Sequence, residues 1–333
     1  MLHRFVLPAA LAAVALSGPV VAQEPFAMKL ATVVVNDPIH QWMDEYKKRI
    51  EARSNGRIKA AVYPASQLGI MTRLVEGLQL GTIEMVVSAS TFYSPLHPAI
   101  QVADAPGVFT DVHHAQRAVT DPAFREKFVR LAEPRGVYGV SLWVYGGAHY
   151  ASMKPIRTLD DFKGKKLRTL ASKIETEILA KVGATGIPIP FAEMIPGLQQ
   201  GTIDGVRGNV VVLAGPKMYT VAKSITLLDE AFLTVMAGLS VPFRDKLPAD
   251  LRKTADDVGR ELDQWGYENY LEKEKTAAQI WRDNGAEVIT ISPADRAELT
   301  RRMAPIGDDL LGSNPQTAEM WALVKQVAAK HRK

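Results

Sequence analysis

The chain has 333 residues, 47% of them hydrophobic and 23% charged, with a formal charge of +4. These globular proportions exclude a disordered or collagen-like chain, and the length favours two domains that each bury a core. The positive excess is spread without a Lys/Arg block, so nucleic acid is not an expected partner. The chain has no cysteine, which excludes a disulfide framework, a thiolate nucleophile, cysteine-ligated zinc and iron–sulfur clusters.

Arg4 and the apolar run over 5–21 lead to Val20-Val21-Ala22, small and branched residues at the place a signal peptidase needs them. The expectation is a signal peptide over 1–22, cleaved after Ala22, and a periplasmic mature protein that is not membrane-embedded. A membrane anchor is the rival reading, but Pro8, Gly18 and Pro19 interrupt a run already short for a span. Residues 28–35 are rich in β-branched residues and read as a strand. Asp37-Pro38 then starts a helix with Trp42, Tyr46 and Ile50 four apart on one face, and Gly56 ends it. A strand over 58–63, a helix over about 71–80 and a strand over 83–87 follow. The grammar recurs with a strand over 137–145 broken by Gly146-Gly147, a strand over 166–170 and a helix over about 172–182. Strands over 187–190 and from 203 to 206 flank a helix that ends at Gly201. Two α/β units in succession, each with a mainly parallel sheet, are therefore expected. From Pro248 no residue forces a helix to stop before Gly285, giving a rod of roughly 55 Å that bridges both units. Residues 286–291 return to strand.

Catalytic signatures are absent: the sequence has no GxSxG, HExxH, Walker loop or GxGxxG. His113-His114 lacks the i,i+4 spacing of a helical metal pair, and the acid pairs Asp160-Asp161, Asp256-Asp257 and Asp308-Asp309 read as caps or solvated faces. No motif calls for a metal or a cofactor. Arg168 stands out because it sits in a strand feeding a helix, at the end of the sheet where α/β proteins bind ligands. An arginine there grips a carboxylate through two parallel hydrogen bonds. A salt-bridged strand arginine is the competing reading from the residues alone.

The order Pro64-Ala-Ser-Gln-Leu-Gly69, Leu78-Gln-Leu-Gly-Thr-Ile-Glu84, Ala105-Pro-Gly-Val-Phe109, Leu159-Asp-Asp-Phe-Lys-Gly-Lys-Lys-Leu-Arg168, Gly183-Ala184, Glu193 and Leu198-Gln-Gln-Gly-Thr-Ile-Asp-Gly205 runs over nearly the whole mature chain. It resembles the DctP-like extracytoplasmic solute-binding proteins of TRAP (tripartite ATP-independent periplasmic) transporters. The resemblance implies a two-domain periplasmic binding protein fold with hinge strands and a long domain-spanning helix. It implies a non-enzymatic monomer that closes over one small organic anion and delivers it to the membrane permease subunits. The expected domains are 23–147 plus 236–276 and 148–235 plus 277–333, with Gly259 or Gly266 as the soft point at which the long helix bends.

In the family the arginine of Lys-Gly-x-x-Arg clamps the ligand carboxylate, which places Arg168 in that role. Phe191 matches a position that packs on the ligand, against the alternative of a core aromatic. Where many relatives read Gln-Glu-Asn-Pro, this chain reads Val206-Arg-Gly-Asn209, making Asn209 and Arg207 candidates of altered geometry. Asn36 and Ser88 end strands at the mouth of the cleft, and His149 stands where sialic-acid binders place a second arginine. One arginine with Phe92, Tyr93, Tyr145 and Phe191 suggests an aromatic or 2-oxo/2-hydroxy monocarboxylate, because an unpaired second carboxylate is costly to bury. Two rivals are a binding protein serving a signalling receptor and a periplasmic enzyme using Glu193 or His149 as base.

Overall fold

The computed structural model describes residues 24–332, so the signal-peptide expectation for 1–22 falls outside the described residues. The first half contains β1 (Phe26–Ala31), α1 (Pro38–Arg53), β2 (Ile58–Tyr63), α2 (Met71–Leu80), β3 (Met85–Ala89), α3 (Val112–Val119), α4 (Pro122–Phe128) and β4 (Val137–Ser152). Then come β5 (Lys166–Thr169), α5 (Lys173–Lys181), β6 (Thr185–Pro188), α6 (Met194–Gln199), β7 (Gly205–Gly208), α7 (Val210–Ala214) and β8 (Ser224–Ser240). The chain continues with α8 (Val241–Lys246), α9 (Ala249–Asp283), β9 (Glu287–Thr290), α10 (Pro293–Met303) and α11 (Ala318–His331).

The strands form one mixed sheet in the order β2-β1-β3-β8-β4-β7-β5-β6, with β9 added to β8. β1 runs parallel to β2 and β3, and β5 runs parallel to β6 and β7. Between these two parallel clusters lies the antiparallel pair β4–β8, matched from Val137↔Ser240 to Ser152↔Ser224. The expected pair of α/β units is present, joined by two strands that each pass through both.

The expectation that Gly146-Gly147 ends its strand is corrected. β4 continues to Ser152, and its register to β8 shifts between Val144 and Gly147 and again between Gly147 and His149. Gly146 (φ +89°) and Asp229 (φ +54°) take left-handed backbone at this irregularity. A Cβ on Gly146 would lie 1.9 Å from the Tyr270 hydroxyl, so only glycine lets α9 sit this close. β8 itself had no counterpart in the sequence reading. It is buried almost throughout, and Asp229-Glu230 interrupts the apolar run that would mark such a strand.

α9 is 35 residues long, about 52 Å at 1.5 Å per residue. Its first half packs under α1: the Trp42 Nε1–H donates to the Leu262 carbonyl at 3.2 Å, and the Tyr46 hydroxyl donates to that of Ala255 at 3.3 Å. Near its far end, Trp281 Nε1–H donates to the Val210 carbonyl at 3.2 Å. Gly259 and Gly266, the expected soft points, sit where α9 meets β4. Both are contact points with β4, where an added Cβ would come within 2.6 Å of the Val140 carbonyl oxygen and 2.8 Å of the Trp143 ring. Between them the Asp263 carboxylate accepts from Arg125 Nε at 2.5 Å, Ser141 Oγ at 2.6 Å and the Leu142 N–H at 2.8 Å. Close approach is a sufficient physical reason for the two glycines. Gly259→Ala is therefore expected to destabilise the protein by about 1–3 kcal/mol, read as a lower midpoint in denaturant unfolding with an unchanged slope.

Candidate functional site

β5 is short because Leu170 and Ala171 lead straight into α5, whose N-cap Ser172 accepts from the Glu175 N–H. Arg168 thus lies at the carboxyl end of a parallel strand, paired with Ile187 of β6 and Val206 of β7. That edge opens on a cavity of about 530 Å³ and a smaller one of about 60 Å³ beneath it. Val33, Phe92, Arg168, Leu170 and Phe191 line both, so the two meet around the guanidinium.

Arg168 is 4% exposed. Its Nε–H donates to the Ile189 carbonyl at 3.1 Å. Among the described residues its two terminal nitrogens have no hydrogen-bond partner, and no carboxylate lies within ion-pair distance. Burial pushes its pKa down to about 10, with Glu175 nearby acting in the opposite sense. The group remains a cation at neutral pH, and an incoming carboxylate would satisfy both free nitrogens at once.

Arg207 is placed differently from the sequence expectation. Nη1 donates to Glu175 Oε1 at 2.9 Å and Nε to Glu230 Oε1 at 2.8 Å, all three side chains being buried. Burial opposes the charge on Arg207, but the two glutamates hold its pKa above the ordinary value. The Tyr150 hydroxyl donates to Glu230 at 3.0 Å, and the Leu170 N–H donates to Glu175 Oε2 at 2.7 Å. Arg207 borders the small cavity with Nε and Nη1 engaged by carboxylates, while Nη2 is buried without a hydrogen-bond partner among the described residues.

Ser88 and Tyr145 also line the small cavity. The Tyr145 hydroxyl is committed to Asp37, the N-cap of α1. Three candidates stand apart from both linings. Asn209 is buried as the N-cap of α7, its Oδ1 accepting the Val212 N–H at 2.7 Å and its Nδ2 donating to the Tyr145 carbonyl at 2.5 Å. His149 is buried at the β4 irregularity, where Nδ1 accepts the Leu228 N–H at 3.2 Å and desolvation lowers its pKa. Asn36 is exposed with φ +57°, and its N–H donates to His40 Nδ1 at 3.3 Å. Tyr93 is likewise a core residue, donating to the Val86 carbonyl at 2.8 Å. Backbone groups thus take up side-chain polar atoms of Asn209, His149 and Tyr93.

Glu175 was missed by sequence reasoning, although Ser172-Lys-Ile-Glu175 carries a capping-box spacing. Its carboxylate reaches past the cap to the Leu170 N–H, the residue two after Arg168. Thr91, on the wall of the larger cavity, donates to Asp104, which also accepts from the Thr234 N–H and hydroxyl at 3.0 Å. Among the described residues no group of three or more His, Asp or Glu is arranged to hold a metal ion. No helix there is long and apolar enough to cross a membrane.

A family model described as bacterial extracellular solute-binding protein, family 7, matches residues 31–313. The chain is 28% identical over 337 residues to the C4-dicarboxylate-binding periplasmic protein DctP of Rhodobacter capsulatus, spanning 99% of this chain and all of that one. A solved TRAP periplasmic solute-binding protein from Desulfovibrio salexigens with bound orotic acid superposes with a TM-score of 0.87 at 27% identity. It covers 92% of this chain and 100% of its own. A second, from Shewanella oneidensis with bound succinate, gives a TM-score of 0.85 at 26% identity, over 93% and 100% of the two chains.

Burial raises the Asp104 pKa from 3.8 to about 6 despite its hydroxyl donors. A carboxyl with a raised folded-state pKa binds its proton more readily folded than unfolded, so its destabilising effect is full above about pH 6 and vanishes below about pH 4. Relative to Asp104→Asn, the wild type is expected to gain on the order of 2–3 kcal/mol of unfolding free energy as pH falls from 7 to 4. Paired denaturant titrations across that range check the sign.

Proposed function

The chain belongs to the bacterial extracellular solute-binding proteins of family 7, periplasmic organic-acid binding components of TRAP transporters, and from that membership we propose that its ligand is an aromatic or 2-oxo/2-hydroxy monocarboxylate. The observation that carries the reading is the buried Arg168 guanidinium with two terminal nitrogens unpartnered, beside an Arg207 already engaged by Glu175 and Glu230. Arg168 is the buried cation without a carboxylate partner, whereas the charge of Arg207 is already balanced, so one carboxylate is matched. A second, buried without a partner, would cost several kcal/mol. Phe92 and Phe191 flank the guanidinium, and Ile70, Met71, Val75 and Leu96 extend an apolar wall from it. The relative holding orotic acid carries a ring-bearing monocarboxylate, which supports the reading. The relative holding succinate is about as similar, so the residues of this pocket and not the overall likeness must decide.

In this reading the domains are 23–147 plus 236–276 and 148–235 plus 277–333, and the register shifts at Val144–His149 support a hinge there. Cleavage after Ala22 delivers the protein to the periplasm. The carboxylate docks on Arg168, and closure excludes water and strengthens the contact. The Gln101 side-chain oxygen, accepting from Ser172 Oγ at 3.1 Å, is a contact of the kind that holds such a cleft together. The loaded protein then hands its ligand to the permease subunits.

Thermal unfolding across a library of organic acids tests this. A ligand at 100 times its Kd adds about 2.7 kcal/mol. Mandelate, benzoylformate or a hydroxybenzoate is expected to stabilise the wild type and not Arg168→Ala. Arg168→Lys, which keeps the charge but loses the planar fork, should fall between. Stabilisation by succinate or sialate alone overturns the ligand class; an equal response from Arg168→Ala overturns the clamp.

A further inference from the structure

We propose that Glu175 is a charge filter, a fixed carboxylate facing the ligand cavity that admits monoanions and turns away dianions. The inference rests on the reading of this cavity as the ligand site. Glu175 is 3% exposed and lines the small cavity together with Arg168, Phe92 and Phe191. Two contacts fix it in place: Arg207 Nη1 at 2.9 Å and the Leu170 N–H at 2.7 Å. It makes no ion pair with Arg168, so it leaves that guanidinium open while projecting a negative charge into the same space.

The surrounding charges sharpen the effect. Two guanidiniums, Arg168 and Arg207, are matched by two carboxylates, Glu175 and Glu230. Asp104 lies behind Thr91 and Asp37 behind Tyr145, two more buried carboxyls just outside the cavity walls. A monocarboxylate is received by Arg168 directly. The second carboxylate of a dicarboxylate would find no further uncompensated cation beneath it: Arg207, although its Nη2 lacks a hydrogen-bond partner, is already paired with Glu175 and Glu230. The remaining arginine of the lining, Arg135, is exposed at the outer mouth of the larger cavity. A like charge some 6–7 Å away in a partly buried site shifts an equilibrium by roughly tenfold or more. Arg207 thereby acquires a role without touching ligand, since it holds the filtering carboxylate in position.

The test compares dissociation constants for matched skeletons, succinate against butyrate and terephthalate against benzoate, by calorimetry at pH 7.5. In Glu175→Gln, which keeps the shape and an acceptor oxygen, the ratio of dicarboxylate to monocarboxylate Kd is expected to fall at least tenfold. Glu230→Gln removes the same charge from the same network but does not line either cavity, and should move the ratio far less. Should Glu175→Gln unfold, Glu175→Met, which removes the same charge, needs no hydrogen-bond partner and leaves Arg207 paired with Glu230, must show the same fall. An unchanged ratio in a folded variant, or an equal shift in Glu230→Gln, overturns the filter. A wild type that prefers dicarboxylates overturns the monocarboxylate reading instead, and the ratio in the variant still decides the filter by itself.

Discussion

Every other part of the molecule is anchored to the antiparallel ladder between β4 and β8. Strands of 16 and 17 residues pair along almost their full length, and each of the two parallel clusters hangs from one edge of that pair. The ladder keeps the halves from separating, because that would expose many backbone groups at once. Its register shifts once between Gly139 and Ser141 and twice more between Val144 and His149, where Gly146 and Asp229 take left-handed backbone. Three side chains from outside the ladder meet it there. Tyr270 of α9 packs on Gly146, Asp37 at the start of α1 binds Tyr145, and Asn209 at the start of α7 reaches the Tyr145 carbonyl. The spot at which the ladder is weakest is thus where helices from both sides are fastened to it.

The second theme is the unequal treatment of two buried arginines on neighbouring strands. Arg207 has two carboxylates within 2.9 Å, the arrangement that a buried cation requires. Arg168 has one backbone carbonyl and faces a cavity. An isolated buried guanidinium is a local cost, and such costs concentrate at functional sites. What separates the two is the reach of Glu175, which is held by Arg207 and by the backbone just beyond Arg168 without closing on Arg168 itself.

Much of this was legible in the residues. Asp37-Pro38 before Trp42, Tyr46 and Ile50 marked α1, and Gly81 marked the end of α2, because caps and periodicity act within a few residues. Arg168 at a strand end was legible for the same reason. β8 was not, since Asp229-Glu230 interrupts its apolar run and the partners of Glu230, Arg207 and Tyr150, lie on other strands. Asn209 and His149 read as ligand contacts, and the structure gives side-chain atoms of both to backbone groups, two of which, Tyr145 and Leu228, lie far away in sequence.

The sequence by itself determined the alternation of strands and helices, the long α9 and the identity of the arginine at the end of β5. These depend on local propensity and on motif order, both of which are written along the chain. Only the tertiary structure decided which buried charges are paired and which is left open. It also decided that Gly259 and Gly266 mark close contacts with β4. Pairing and close approach are settled by the distance between atoms that are tens to hundreds of residues apart, and no local pattern encodes that distance.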